Sequence, residues 1–547
     1  MRRLVLTLVL LGGCRRLAST VDPAAQQALA RAESTFARTR IEKDRIDILA
    51  LRKGVDSLPA DSAATLRGQY REIRTRLLAQ LAIDSLKLAD SVDRRALREM
   101  NRALFVDLTE HPEPPGGTVG PRDENCQYDP AQLAESKGDG ALAERIYACF
   151  GAAARNIAVG KEQLDRLTLL GRLASTPASA ERRTLFMAME PLWRATDGGP
   201  VSPYRTLIAR RGRTWSPGIR PFDVAARVAG VPADSVAGWL EAALEAWRRS
   251  TPDRPVEPWD LYFEMGAAGR ALNRRVPRDS LLAINRRFYR ELGADPDSLG
   301  IRFDIWPRAE KGPVAFTTIG RRAEEGVAPE SWVFATYRVG GFDNLAELVH
   351  ETGHGIHLGG IHTRPAFTDW PDSDTFTEAI ADIAGLEIYE PAWQQHYLGD
   401  STDLATSLHA KYFSIMMDMA WALFEIRLEQ NPSADPNQVW AEITSHYLHL
   451  VPHPELSWWA LRGQLIEETG YMLNYALGAF LVADMRAAVA RDHGPISAGD
   501  LTWYPYMRER IYRFGREKAA RAVVADFLGR PPRPEALLAD LARIQPR

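Results

Sequence analysis

Apolar residues recur at helical spacing through most of this chain. The stretches Ala63 to Leu81 and Leu86 to Leu104 repeat Ala and Leu every three or four positions among Arg, Glu and Asp, which is the pattern of amphipathic helices. Similar patterns cover Ala131 to Leu173, Arg182 to Ala195 and Phe222 to Arg249. Clusters of Pro and Gly separate these segments and mark turns. The chain is therefore predicted to be mainly α.

Two segments in the second half depart from the helical pattern. Gly312 to Ile319 and Ser331 to Tyr337 are short and rich in β-branched and aromatic residues, as strands are. They predict a small β-sheet that comes directly before the helical segment containing His350.

That helical segment carries the most informative polar residues. His350 and His354 are four residues apart, and Glu351 lies between them in an otherwise apolar run. Positions i and i+4 of a helix lie one above the other, so both imidazoles can reach one cation while Glu351 faces the adjacent water. This spacing predicts a zinc site with its general base. A catalytic zinc usually has three protein ligands and one open position, so a third ligand is expected.

Glu378 is the predicted third ligand, in a second segment with helical periodicity. Asp382 follows one helical turn later, where its carboxylate can accept the second N–H of a zinc-bound histidine, His350, and fix its tautomer. An alternative function for Glu378 is a capping box with Thr375. The ligand set suits zinc, with cobalt or manganese as alternatives.

The remaining histidines of this region are not predicted to bind metal. The zinc motif with a third histidine requires Gly at position 357 and His at position 360, whereas this chain has His357 and Gly360. We expect His357 to be packed or to support a ligand from behind. His362 falls in a predicted loop, and we expect the same of it.

The sequence from His350 to His354, followed by Glu378 and Asp382, resembles the glutamate-zincin metallopeptidases. Within that group it is most similar to the mainly helical thimet oligopeptidase and oligoendopeptidase F families and to the angiotensin-converting enzyme family. The resemblance is specific over residues 313–382 and general over the N-terminal half. It implies a two-lobed helical peptidase with a deep central cleft, a small sheet beside the zinc helix, one Zn²⁺ ion and oligopeptide substrates.

A further segment, Glu468 to Phe480, resembles the helix whose tyrosines donate to the oxyanion in oligopeptidases. By this resemblance Tyr475 is the first expected donor and Tyr471 the second; the alternative is that both pack with their hydroxyls satisfied elsewhere. The oligopeptidase helix has a histidine shortly before its first tyrosine, and residues 464–468 contain none. His453, from a loop, is the expected substitute.

The resemblance also assigns a function to the first predicted strand. In these families an edge strand beside the zinc helix pairs with the substrate backbone, and Ala315, Phe316 and Thr317 stand at that place. The alternative is an ordinary strand of a small core hairpin. By the same comparison, residues 122–300 form the helical wall of the cleft and residues 301–547 form the catalytic region.

The N-terminus predicts export. Two arginines precede the apolar run at 4–11, as in a secretory signal, and residues 11–14, which end in Cys14, resemble a bacterial lipobox. We therefore predict a signal peptide over 1–13 and lipidation at Cys14, which would anchor the protein in the bacterial cell envelope facing the periplasm or the exterior. A signal peptide without lipidation is the alternative.

Two cysteines remain after that processing. Cys126 and Cys149 are expected to form a disulfide, which persists in an exported compartment; two unpaired buried thiols are the alternative. Before these cysteines, we predict an N-terminal helical region over 14–110. A linker or loop rich in Pro and Gly follows over 111–121.

The charge balance excludes one class of partner. The chain has 68 basic and 71 acidic residues and a formal net charge of −3, so nothing in the totals calls for nucleic acid. The predicted function is zinc-dependent hydrolysis of oligopeptides by a lipid-anchored monomer. The alternatives are a peptidyl-dipeptidase, for which Arg462 lies in a region suited to bind a free C-terminus, and a non-catalytic scaffold that binds peptides.

Overall fold

The computed structural model of the chain describes residues 22–53, 88, 90–109, 139–197, 202–308, 311, 314–323 and 327–544. The predicted signal peptide and the linker at 111–121 lie outside these residues. Cys14 and Cys126 also lie outside them. The predictions that concern these segments therefore stay predictions.

The described part of the chain is mainly helical, which confirms the predicted fold class. The helices are α1 (Pro23–Lys53), α2 (Ser91–Thr109), α3 (Asp139–Arg155), α4 (Arg166–Ser175), α5 (Ser179–Met187), α6 (Glu190–Thr196), α7 (Pro203–Arg211), α8 (Pro221–Ala229), α9 (Val236–Ser250), α10 (Leu261–Met265), α11 (Ala267–Leu272), α12 (Leu281–Glu291), α13 (Phe342–Gly360), α14 (Asp374–Gly385), α15 (Pro391–Leu398), α16 (Leu404–Gln430), α17 (Pro436–Leu448), α18 (Gln464–Glu467), α19 (Met472–Asp492), α20 (Trp503–Arg510), α21 (Ala520–Leu528) and α22 (Glu535–Leu541).

The strands form two small sheets. Strands β1 (Ile157–Val159) and β2 (Glu162–Leu164) pair as an antiparallel hairpin. Strands β3 (Ile301–Asp304), β4 (Phe316–Arg321) and β5 (Glu330–Phe334) form a three-stranded sheet in the order β3-β5-β4. Strand β5 pairs with β3 in parallel and with β4 in antiparallel orientation, so β4 lies at one edge of this sheet.

The hairpin corrects one prediction, because continuous helix was expected through this region. Ile157 and Val159 alternate with smaller residues, and Gly160 adopts a φ of 62°. β-branched residues favour the strand and glycine accepts the left-handed turn conformation at little cost. These local preferences end the helix at Arg155, although the surrounding sequence is rich in helix-forming residues.

The chain divides into two compact units. The smaller unit contains residues 1–43 and 59–112, and the larger contains residues 44–58 and 113–547. Within the described part of the smaller unit, Leu29, Phe36, Met100 and Leu104 are buried. Their spacing along α1 and α2 is helical, so each helix buries one face.

The larger unit contains two hydrophobic cores. The first is built by buried residues from 142–261, 408–480 and 537–544, and the second mainly by residues from 268–398 and 481–528. Helix α19 belongs to both, since its residues up to Phe480 pack in the first core and those from Leu481 pack in the second. The sequence of α19 is apolar on all sides, as expected of a helix surrounded by protein.

Among the described residues, α19 is also the one helix whose length and composition would suffice to cross a membrane. Of its most apolar window, 72% is buried inside the protein. This degree of burial is typical of a core helix, so hydropathy here reflects packing within the fold.

The helix that carries the two histidines, α13, has a defined start. Gly341 precedes it with a φ of 112°, a conformation that favours glycine. The Oδ1 atom of Asn273 accepts a hydrogen bond from the backbone N–H of Phe342 at 2.8 Å. This satisfies one of the free N–H groups at the helix start.

Helix α13 lies very close to α14 at Gly353. A Cβ atom at this position would lie 2.9 Å from the Cα of Ala381 and even closer to its carbonyl oxygen. Both are backbone atoms, which cannot move aside without displacing α14. Gly353 therefore fixes the distance between the two helices.

We expect Gly353→Ala to destabilise the fold by about 1–3 kcal/mol, because added core volume forces a backbone shift. Urea unfolding of the metal-free protein measures this effect. Gly238→Ala is the matched control: Gly238 is exposed within α9 and has open space around its Cβ position, so alanine is expected to be neutral or stabilising by about 0.5–1 kcal/mol. Equal stability of the two variants would contradict the close-packing argument.

Candidate active site

Three predicted ligands come together in the structure. The Nε2 atom of His350 lies 3.5 Å from Oε2 of Glu378, and Nε2 of His354 lies 4.0 Å from the same oxygen. All three ligand atoms lie within 4.8 Å of one another. Ligands at about 2.0–2.2 Å from a tetrahedral zinc are about 3.4 Å apart. The donor set therefore fits a single ion of this kind.

The capping alternative for Glu378 is contradicted by the start of α14. Ser373 is the N-cap residue, and its side chain accepts a hydrogen bond from the backbone N–H of Phe376. The hydroxyl of Thr375 instead donates to Oδ1 of Asn474 at 3.1 Å. Glu378 lies in the second turn of the helix, where its side chain is directed to the histidines.

Asp382 lies where the sequence placed it, behind the first histidine. Its Oδ1 atom is 2.7 Å from Nδ1 of His350, which leaves Nε2 directed toward Glu378. Burial disfavours the charged form of His350, but the Asp382 carboxylate outweighs it and raises the pKa of His350 well above its ordinary value. A carboxylate in this position fixes the tautomer and orientation of a ligating imidazole.

The second histidine is held in its neutral form. Burial and the neighbouring His350 lower the pKa of His354 to about 4. A neutral imidazole is the form that binds a metal ion. For Glu378, burial favours the protonated form, but contacts with the two histidines reverse this and lower its pKa. His354 and Glu378 are therefore in their ligating protonation states at neutral pH.

Glu351 is buried beside these ligands and is tied to the edge strand. The hydroxyl of Thr317 lies 2.8 Å from Oε2 of Glu351 and 2.7 Å from its backbone carbonyl oxygen. Burial raises the pKa of Glu351 to about 7. A carboxylate with a pKa near the working pH suits proton transfer in both directions.

These residues face a cavity of about 660 Å³. The predicted strand residues Ala315, Phe316 and Thr317 line it, and the latter two belong to the edge strand β4. A free strand edge presents backbone N–H and C=O groups that can pair with an extended peptide.

The two predicted tyrosines also line the cavity, with ring centres 5.8 Å apart. Burial and the nearby Glu378 raise the pKa of Tyr475 to about 12, so its hydroxyl keeps its proton at neutral pH and can donate it in a hydrogen bond. The guanidinium of Arg462 lies 5.3 Å from the Tyr475 ring centre. The structure thus brings Tyr475 and Tyr471 into the same cavity as the candidate metal ligands.

A buried carboxylate positions these tyrosines. The backbone N–H groups of Gly470 and Met472, on either side of Tyr471, donate to the two oxygens of Glu425 at 2.8 and 3.0 Å. Glu425 comes from α16 and accepts hydrogen bonds from the free N–H groups at the start of α19, while burial raises its pKa well above the ordinary value. The first turn of α19 is therefore fixed by a residue remote in sequence.

The expectation for His453 has to be corrected. His453 is not among the described residues that line the cavity. Its Nδ1 lies 2.6 Å from Glu455 and its Nε2 lies 3.0 Å from Glu257, and its ring packs against Trp259. Both ring nitrogens are thus engaged by carboxylates elsewhere, which leaves no nitrogen for the reaction site.

His357 is packed, as expected, whereas His362 is not. His357 is 1% exposed and packs against Trp370, Phe376 and Tyr512. Burial lowers the pKa of His357 to about 3, so it is a neutral core residue. His362 is exposed, and its backbone N–H donates to the carbonyl oxygen of Arg513.

Several cavity residues were not found from the sequence. Asp343 and Glu347 precede Glu351 on α13 at steps of four residues and line the same cavity, so helical periodicity was a signal that could have identified them. Lys411 and Asp418 reach the cavity from α16. No local pattern relates α16 to the zinc motif.

Cys149 is buried and disulfide-bonded. Its predicted partner, Cys126, lies outside the described residues, so the pairing of these two cysteines stays a prediction.

The fold is similar to that of solved metallopeptidase structures. Metallocarboxypeptidase 1 of Trypanosoma cruzi matches with a TM-score of 0.53 at 18% identity, covering 95% of this chain and 100% of the other. A structure described as an oligoendopeptidase F matches with a TM-score of 0.58 at 15% identity, covering 95% of both chains. The M32 carboxypeptidase of Deinococcus radiodurans R1 gives 0.55 at 14% identity, covering 94% of this chain and 97% of the other.

At these identities the likeness concerns the fold, and it agrees with the family resemblance seen in the sequence. No family model matches the chain, and no curated protein matches it. The assignment of chemistry therefore depends on the site residues themselves.

We expect Asp382→Asn to weaken zinc binding by about 10–100-fold, because the amide cannot hold His350 in the ligating tautomer as the carboxylate does. Competition with a chromophoric chelator measures the affinity. Asp492→Asn is the control, since Asp492 is paired with Arg491 on the surface at the end of α19. Unchanged affinity in Asp382→Asn would show that the contact does not support the metal site.

Proposed function

We propose that this protein is a zinc-dependent metallopeptidase that hydrolyses peptide bonds in oligopeptides. The observation that carries the proposal is the convergence of His350, His354 and Glu378 on one point, with Glu351 beside them in a cavity bordered by the edge strand β4. When bound, the zinc ion supplies Lewis acidity toward water and the peptide carbonyl.

The protein groups have distinct functions in this proposal. Glu351 takes a proton from the attacking water and delivers it to the leaving amine nitrogen. Tyr475, or Tyr471 beside it, donates its hydroxyl proton in a hydrogen bond to the carbonyl oxygen as negative charge develops there. The edge strand that contains Phe316 and Thr317 holds the peptide extended by backbone hydrogen bonds.

Glu351→Gln tests this function. The amide cannot accept the proton, so zinc content should equal that of the wild type while cleavage of a mixed peptide library falls by at least about 100-fold, as expected for loss of an acid–base group. Mass spectrometry identifies the products and metal analysis confirms loading. Zinc-loaded wild type that cleaves no peptide would contradict the proposal and favour a peptide-binding scaffold.

We extend the proposal to the location of the protein. The signal-like N-terminus and Cys14 support export and lipid anchoring to the bacterial cell envelope. The disulfide at Cys149 is consistent with an oxidising compartment. In this proposal the enzyme acts as a monomer on peptides outside the cytoplasm.

A second candidate is an exopeptidase that requires a free C-terminus. Its support is Arg462, which lines the cavity near Tyr475. The Nη2 atom of Arg462 donates to Oδ1 of Asp418 at 2.6 Å, and a guanidinium has further donors that can bind a carboxylate. A peptidyl-dipeptidase or carboxypeptidase would use such a cation to hold the terminal carboxylate.

Amidated and free peptides of the same sequence distinguish the two modes. An exopeptidase should cleave the free peptide at least about tenfold faster, since a charge-assisted hydrogen bond contributes about 1.5–3 kcal/mol. The double variant Arg462→Gln/Asp418→Asn removes both charges together, which avoids leaving a buried charge unpaired. It should abolish that preference. An endopeptidase cleaves both peptides equally.

A further inference from the structure

Two carboxylates in the cavity have no function in the mechanism above. Among the described lining residues, Glu351, Glu378 and Asp382 belong to the metal site. Asp418 is neutralised by Arg462 at 2.6 Å. The carboxylates that remain are Asp343 and Glu347, which precede the metal ligands on the same helix.

Within the part of the chain that the structure describes, Asp343 has no ion-pair partner. Its carboxylate forms no hydrogen bond with the described residues either. Arg270 is the basic residue that acts on it electrostatically, but this guanidinium donates to the carbonyl oxygen of Ala174 and stacks 3.5 Å from the ring centre of Phe263. Lys411, another basic residue that lines the cavity, is paired with Asp540 at 3.3 Å. His350 acts electrostatically on Glu347.

Asp343 and Glu347 both lie exposed on the cavity wall. The protein around Asp343 partly desolvates its carboxylate, which raises its pKa to about 6. Burial also raises the pKa of Glu347, against the opposing effect of the Tyr337 hydroxyl. Two carboxylates exposed side by side in one cavity give it a negative potential, which favours a cationic group on a ligand.

The wall beside Asp343 provides both room and an aromatic ring. Helix α11 carries Gly269 here, and a Cβ atom at that position would lie 2.8 Å from Oδ2 of Asp343. The absence of a side chain at Gly269 therefore leaves room for the Asp343 carboxylate. Tyr389 lines the same region, and burial, together with the nearby Asp343 charge, raises the pKa of its hydroxyl. Carboxylates beside an aromatic ring are suited to an ammonium or guanidinium group.

We propose that Asp343 and Glu347 form a subsite for the basic side chain of a lysine or arginine in the substrate. This rests on the proposed peptidase function and defines its substrate class as basic oligopeptides. A helix rises 1.5 Å per residue and an extended peptide about 3.3 Å per residue. Asp343, seven residues before His350, therefore lies about three substrate residues from the metal site.

The test uses peptides that differ only by lysine or norleucine within three residues of the cleaved bond. Each is prepared with a free and an acetylated N-terminus and assayed at pH 8, where Asp343 is ionised. The zinc-loaded wild type should cleave the lysine peptide at least about tenfold faster in kcat/KM, as expected for a hydrogen bond between charged groups. The preference should be the same with the acetylated peptides.

Three variants examine the assignment. Asp343→Asn should bring the ratio of lysine to norleucine cleavage close to one. Gly269→Ala keeps the charge but displaces the carboxylate, so the ratio should fall in the same direction. Glu442→Gln is the control, because Glu442 is an exposed carboxylate on α17 outside the cavity, and it should retain the wild-type ratio.

The outcomes separate this inference from the proposed function. Equal cleavage of both peptides by the wild type, or a ratio unchanged in Asp343→Asn, overturns the subsite. A preference that disappears on acetylation assigns the carboxylates to the terminal amine and overturns the side-chain proposal. Absence of all cleavage contradicts the peptidase function alone; in that case calorimetry with zinc-loaded Glu351→Gln decides, and equal affinity for the two peptides overturns the subsite.

Discussion

The close contact between helices α13 and α14 at Gly353 is the constraint on which the site depends. Because Gly353 has no side chain, the backbone of α14 at Ala381 approaches the zinc helix closely. This approach brings Glu378 and Asp382 to the two sides of His350, one toward the common ligand point and the other behind the ring. A wider separation would break both contacts at once. The segment from His350 to His354 therefore determines the distance between α13 and α14, through Gly353, in addition to supplying two candidate ligands.

The parts of the site that the sequence predicted are those governed by helical repeat. His350, His354 and Glu351 lie on one helix, and the spacing from Glu378 to Asp382 is one turn of the next, so local geometry determines their relative positions. The mainly helical fold followed from the same periodicity. Strand β4 was predicted from composition, but strand β3, which pairs in parallel with β5, was not expected because such pairing depends on contacts remote along the chain.

The parts that were missed depend on tertiary contacts. Glu425, which holds the first turn of α19, and Lys411, which reaches the cavity, both come from α16 and have no spacing that relates them to the zinc motif. The error for His453 has the same origin, since its position in a loop follows from packing against Trp259 and pairing with Glu257. A resemblance between sequences does not predict which path a loop takes through the folded protein.

Helix α19 joins the two hydrophobic cores of the larger unit. Its N-terminal half, with Tyr475, packs in one core, and its C-terminal half packs in the core that holds the histidines. It follows that a chain in which only one core has formed cannot yet bring the tyrosine to the ligands. The tyrosine and the candidate metal ligands are therefore brought together only when both cores are in place.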